Sequence, residues 1–324
     1  MSRRPDGGSQ GAEGPASPAP ERGHVDLIDL IDLDAEHVEI GSGYEFSEGP
    51  AWSVREQALI FSDIPGDARY RWTGDGAPEV YVAPNHKGNG IVYERSGTYL
   101  VCESDTSVVS RFTPDGQRTV VASHFEGAEL NSPNDIVVRG DDSIYFTDPN
   151  YGRWNDWIGL KRDPELDFQG VFRCRPDGSD LQLLVPRDEF EQPNGLCFSP
   201  DESLLYVNDS PRCHVKVFDV AGDGGLGPGR VLFEGLGTGE VRSSPDGMKC
   251  DVQGNIWASG PEGIWVLDPS GRHLGTVPMP EFPGNLVWGG PDLRTLFVCA
   301  STRVFAVRTK VAAAPLPCHQ ETGA

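Results

Sequence analysis

The sequence predicts an all-β protein, a six-bladed β-propeller with four antiparallel strands in each blade. Three observations lead there. Short alternating or apolar runs separated by turn residues fill the chain between two polar ends, and almost no stretch has helical periodicity. The runs group in fours with a repeat of about 40–60 residues, the length of a propeller blade. Six polar residues, Glu48, Asn89, Asn134, Asn194, Asp246 and Asn285, each stand just before an apolar strand. A second apolar strand is centred 11 or 12 residues later, at Ile60, Leu100, Tyr145, Tyr206, Trp257 and Phe297. A constant register puts equivalent residues at equivalent heights, so the six form a ring around one axis.

The first 23 residues are Gly, Pro, Ser and Ala with almost no large apolar side chain, and are expected to be a disordered tail. Residues 24–311 are expected to form the propeller domain, and residues 312–324 a flexible C-terminal tail. In the second repeat the strands read as 89–94, 98–103, 107–113 and 118–123. In the third they read as 134–139, 143–147, 170–175 and 181–185. Pro-Asp-Gly turns at 114–116 and 176–178 join the outer strands as hairpins. The sixth repeat has strands near 285–289, 294–300 and 303–308 and lacks a fourth. An unpaired candidate, His37-Val38-Glu39-Ile40, lies upstream of the first repeat. It is expected to complete the last blade and close the ring without an exposed edge.

The third repeat carries extra length after its second strand, residues 149–170, with Tyr151, Trp154, Trp157 and Phe168. The first strand starts at one face of a blade and the second ends there. The insertion therefore overhangs the ring as a lid or specificity loop.

The net charge of −22 argues against nucleic acid or an anionic membrane as a partner. The seven cysteines include no Cys-x-x-Cys pair and sit mostly in strand-like runs, which reads as buried free thiols in a reducing compartment. No signal-like apolar segment follows Met1 and no run is long enough to span a bilayer, so a cytoplasmic location is expected. A small-molecule partner and a monomer or weak homo-oligomer are expected.

Four ring members carry oxygen donors suited to a hard cation: Glu48, Asn134, Asn194 and Asp246. Pro-Asp-Gly at 245–247 is the one copy that precedes an inner strand, so turn formation alone explains Asp246 less well. Glu48 is unusual in a turn before a strand. Two carboxylates and two amides, with no His or Cys, suit Ca²⁺ better than a typical zinc set. One divalent ion is expected, Ca²⁺ first, with Mg²⁺, Mn²⁺ or Zn²⁺ as alternatives. Asn89 and Asn285 hold the same register and read as turn residues.

Four segments resemble the signature segments of the gluconolactonase/regucalcin family, to which senescence marker protein and luciferin-regenerating enzyme are related. They are Ser47-Glu48-Gly49-Pro50-Ala51-Trp52, Asn131-Ser132-Pro133-Asn134-Asp135, Pro193-Asn194-Gly195-Leu196 and Pro245-Asp246-Gly247-Met248. Pro149-Asn150-Tyr151-Gly152 and Gly170-Val171-Phe172-Arg173 look most like bacterial gluconolactonase-type members. The resemblance implies a metal held by Glu48, Asn194 and Asp246. Asn134 would be a further ligand or a contact to metal-bound water and substrate. It also implies hydrolysis of a sugar-type lactone by a metal-polarised carbonyl and an activated water, with Asp246 as the catalytic base. In animal members an Arg stands two residues before the equivalent of Asn134; here that position is Ser132. Further candidate substrate contacts are His86, Lys87, Asn89, Asp148 and Trp154, although Asp148 also reads as a strand-end turn residue.

No Gly-x-Ser-x-Gly elbow and no dinucleotide fingerprint in a strand–helix context occurs. Two other readings stay open. One is another ester or organophosphate hydrolase, or a biosynthetic enzyme, on the same site. The other is a non-catalytic calcium-binding or interaction propeller.

Overall fold

A computed structural model describes residues 25–240 and 242–319. The expected disordered tail, residues 1–23, lies outside the described residues. Six four-stranded antiparallel sheets follow one another along the chain. The first runs from Ser47–Ser53 through Ala58–Asp63 and Ala68–Trp72 to Glu79–Val82. Blade two begins at Gly88–Tyr93, blade three at Ile136–Val138, blade four at Pro193–Phe198, blade five at Met248–Cys250 and blade six at Pro283–Gly289. The inner and second strands of most blades are buried on both faces, because each sheet is sandwiched between its neighbours. Apolar clusters between adjacent blades form the core; Trp257 and Trp288, at a ring distance of 5.3 Å, wedge blade five against blade six.

The ring closes as expected. Val38–Ser42 pairs antiparallel with Arg303–Arg308 and becomes the outer strand of blade six. The chain before it is ordered too. Leu27–Leu30 forms one helical turn whose Leu27 and Leu30 pack into the core of blades five and six.

The C-terminal segment differs from the flexible tail expected for residues 312–324. Residues 312–319 are packed. Val252 N–H donates to the Ala312 carbonyl and Ala314 N–H to the Cys250 carbonyl, both across the bottom of blade five. Ala314 then joins the core between blades four and five, Leu316 that between blades three and four, and Cys318 that between blades one and two. The small residues and prolines that resemble a linker are what lets the segment lie flat across the channel. With residues of the blades it lines a void of about 60 Å³.

Candidate active site

Strand pairing breaks at the height of the ring. Ladder register shifts between Glu48 and Ala51, between Gly88 and Ile91, between Pro193 and Leu196, and between Pro283 and Asn285. A bulge there leaves one residue unpaired and turns its side chain toward the axis. In blades three and five the inner strand begins only after the ring residue, at Ile136 and Met248. That is later than the expected start at residue 134, because the Asn134 carbonyl accepts from Gly90 N–H of blade two instead of its own ladder. Gly49 shows how close the blades come. Its backbone is left-handed (φ 54°), and a Cβ there would lie 1.8 Å from the Asn89 carbonyl oxygen.

The displaced carbonyls are satisfied by the preceding blade. Ser62 Oγ donates to Asn89 O (3.2 Å), Thr147 Oγ1 to Asn194 O (2.7 Å), and Asn208 Nδ2 to Asp246 O (2.6 Å). Ser259 Oγ donates to Gly284 O at 2.9 Å. Each donor comes from a second strand, so the ring is hydrogen-bonded blade to blade.

Above the ring lies a cavity of about 570 Å³, of a size that holds a small molecule. Glu48, Asn89, Asn134, Asn194 and Asp246 line its floor, and Tyr151, Trp154, Trp157 and Ile158 of the insertion form its roof. The expected overhang is therefore present. It is fastened at both ends. Arg153 is buried and donates to the carbonyls of Leu130 and Asn131 and to Glu129 Oε2. At the far side Trp157 Nε1 donates to Glu45 Oε2 (3.3 Å), and its ring lies 6.0 Å from Phe46 of blade one.

The floor is electrostatically unusual. Glu48 is 2% exposed; its Oε2 accepts from Gly49 N–H at 2.7 Å and its Oε1 has no donor. Asn194 gives its Nδ2 to Ser210 Oγ (3.1 Å), which leaves Oδ1 buried and unpartnered. Burial pushes the Asp246 carboxyl up to about 7, against the pull of Asn194 and with help from Asp135. Burial, and then the charge of Asp246, push Glu48 well above the usual carboxylate range. Among the described residues no three His, Cys, Asp or Glu side chains gather around one point, so a cation here would also draw on amide oxygens. Acceptor oxygens without donors, beside two carboxyls that repel one another, are the environment a hard cation relieves.

The other candidates divide. Ser132 and Trp154 line the cavity with the ring residues. Ser132 Oγ is already engaged, donating to Pro149 O (2.8 Å) and accepting from Gly152 N–H. His86 and Lys87 do not line it. Lys87 Nζ turns to the Pro65 carbonyl (2.7 Å), and His86 Nδ1 faces Asp105 at 3.9 Å, so both brace a loop. Asp148 also lies outside the cavity lining. Its Oδ2 accepts from Asn131 N–H at 2.9 Å. Asp63 and Asp209 stand at the same strand position and do the same for residues 45–46 and 191–192. Asp148 is one of a repeated set of loop clamps, and burial pushes its carboxyl up to about 7. Sequence reasoning missed Ser104, Ser210 and Arg242 on the walls. It also missed the second-strand donors, which fall two residues after Ile60, Tyr145, Tyr206 and Trp257.

The fold defines a six-bladed propeller with a cavity at the mouth of its central channel. The chain belongs to the SMP-30/gluconolactonase/LRE-like family, whose profile matches residues 46–302. It is 35% identical to a gluconolactonase of Zymomonas mobilis over 84% of this chain and 80% of that protein. It is 30% identical to a 6-deoxy-6-sulfogluconolactonase of Pseudomonas putida over 78% of this chain and 82% of the relative. A solved gluconolactonase of Xanthomonas campestris superposes with a TM-score of 0.80 at 32% identity, covering 87% of this chain and 92% of that one.

Proposed function

We propose that the protein is a sugar-lactone hydrolase that works with one divalent cation, Ca²⁺ in the first place. The observation that carries this reading is the pair of unpartnered buried oxygens, Glu48 Oε1 and Asn194 Oδ1, on the floor that also holds Asp246. The names of the two relatives at 30% identity or more, a gluconolactonase and a sulfogluconolactonase, supply the substrate class.

Glu48, Asn194 and Asp246 would hold the cation, with Asn134 as a fourth donor or a contact to bound water. When bound, the cation supplies Lewis-acid polarisation of the lactone carbonyl and stabilises negative charge on its oxygen. The protein does the rest. The insertion residues that line the cavity restrict bulk water above the floor. The Ser104 and Asn89 side chains offer hydrogen bonds to substrate hydroxyls, and the Trp154 ring, half in solvent, offers a face for a sugar ring.

Of the two carboxyls, Glu48 is fixed by Gly49 N–H and almost wholly buried, whereas Asp246 is half-buried at the cavity wall. Asp246 is therefore the proton carrier. Water attacks the carbonyl carbon and gives its proton to Asp246. The ring C–O bond then breaks and Asp246 returns the proton to the departing oxygen, which yields the open hydroxy acid. Hydrolysis of glucono- and other aldonolactones, followed by proton release, tests the proposal. Glu48→Gln and Asp246→Asn should each lower kcat/KM by more than about 100-fold, since several kcal/mol of charge stabilisation depend on the cation. Full activity in either variant sinks it.

A further inference from the structure

One layer below the floor, the channel holds a charged cluster that this mechanism does not use. Lys249 Nζ lies 3.2 Å from Asp135 Oδ2, 3.1 Å from Met248 O and 3.3 Å from Asn285 Oδ1. The three oxygens come from blades three, five and six. Asp135 and Asn285 are 2% and 3% exposed, so the nest is built from buried groups. Lys249 also lines the small void bordered by the C-terminal segment. An ammonium group there fills a place lined by one carboxylate and two neutral oxygens, which is a donor set for a hard cation.

The cluster is joined to the floor above it. The Asn285 carbonyl oxygen accepts from Lys249 Nζ and, at 2.9 Å, from Leu286 N–H. Asp135 follows Asn134 directly. Asp246 stands three residues before Lys249, at the start of the same blade. One side chain thus borders chain neighbours of both Asn134 and Asp246.

We propose that the Lys249 ammonium group is a resident cation in an oxygen nest beneath the mouth. There it excludes a second divalent ion. Without that counter-charge the buried Asp135 carboxylate is a cost, which a divalent cation on the same three oxygens would offset. The upper ion in this picture rests on the metal-dependent reading above; the lower nest does not.

The test is the number of Ca²⁺ ions bound by protein stripped with chelator and dialysed, measured by titration calorimetry. Lys249→Met keeps the length of the side chain and removes its charge. It should take up one Ca²⁺ more per chain than the wild type, whereas Lys249→Arg should take up none more. The double variant Lys249→Met/Asp135→Asn should return to the wild-type number, because the nest has lost its carboxylate. Equal numbers in Lys249→Met and wild type, in protein that melts cooperatively, overturn the proposal. If the stripped Lys249→Met chain is unfolded, circular dichroism follows its response to added Ca²⁺. Refolding supports the nest, and failure to refold at saturating Ca²⁺ overturns it. A wild type that binds no Ca²⁺ counts against the mouth site alone, since the difference between variant and wild type still decides the nest.

Discussion

The negative charge of Asp246, on blade five, raises the proton affinity of Glu48, on blade one. Two carboxyls from the blades on either side of blade six therefore share one poorly solvated space. No Lys or Arg bonds either of them among the described residues, and the nearby Lys249 is engaged with Asp135. Such a pair is a cost to the fold that a proton or a divalent cation offsets.

That cost has a sign in pH. Asp246 moves from an ordinary 3.8 to about 7 in the folded chain, and Glu48 also rises. Between those values the folded state binds more protons than the unfolded one. The metal-free protein therefore loses stability as pH rises from about 4 through 7. A bound divalent ion takes over the role of the protons. The rise in Tm caused by saturating Ca²⁺ should accordingly be larger at pH 8 than at pH 5. Thermal melts at the two pH values, with and without Ca²⁺, check this; an equal rise at both contradicts it.

Arg153 fastens the root of the roof. Its guanidinium group is buried and serves the carbonyls of Leu130, Asn131 and Asp163 as well as Glu129. Arg153→Met leaves the buried Leu130 carbonyl without its donor, although Ser107 still serves Asn131 and Arg162 still serves Glu129, and should cost about 1–3 kcal/mol of stability. Arg153→Lys should recover little of it, because one ammonium cannot span the fan of acceptors. Urea unfolding measures both. A loss under about 1 kcal/mol in Arg153→Met would mean the roof stands by other contacts.

Trp157 works at the other end of the roof, where it is 45% exposed and meets Glu45 and Phe46. Little apolar area is at stake for folding, but the contact closes the cavity on the blade-one side. Trp157→Ala should raise KM for the lactone several-fold and change stability by less than about 1 kcal/mol. Steady-state kinetics paired with a melt separates the two effects, and an unchanged KM removes Trp157 from the site.

The propeller was legible because a repeat prints the same period six times, and one missing strand in repeat six matched one spare strand upstream. Glu48, Asn134, Asn194 and Asp246 were legible as a set because they share a register. The bulges that turn Glu48 and Asn194 inward were not, since a bulge is a property of pairing between strands. Ser62, Thr147, Asn208 and Ser259 were in plain sight two residues past each strand centre. Their role appears only once the carbonyl of the next blade is beside them. Residues 312–319 misled through composition: Ala and Pro suit a linker, and equally a flat plug with Ala314 and Pro317 buried in it. His86 and Lys87 sit at the right height in the sequence but turn away, because Pro65 and Asp105 offer them partners outside the cavity.

The most direct measurement of the central claim is lactone hydrolysis by the wild-type protein before chelation, after removal of divalent ions, and after refilling with Ca²⁺. A pH indicator would follow acid release from an aldonolactone. The account requires activity to fall to the uncatalysed rate on stripping and to return with Ca²⁺. Undiminished hydrolysis in fully stripped protein would contradict it.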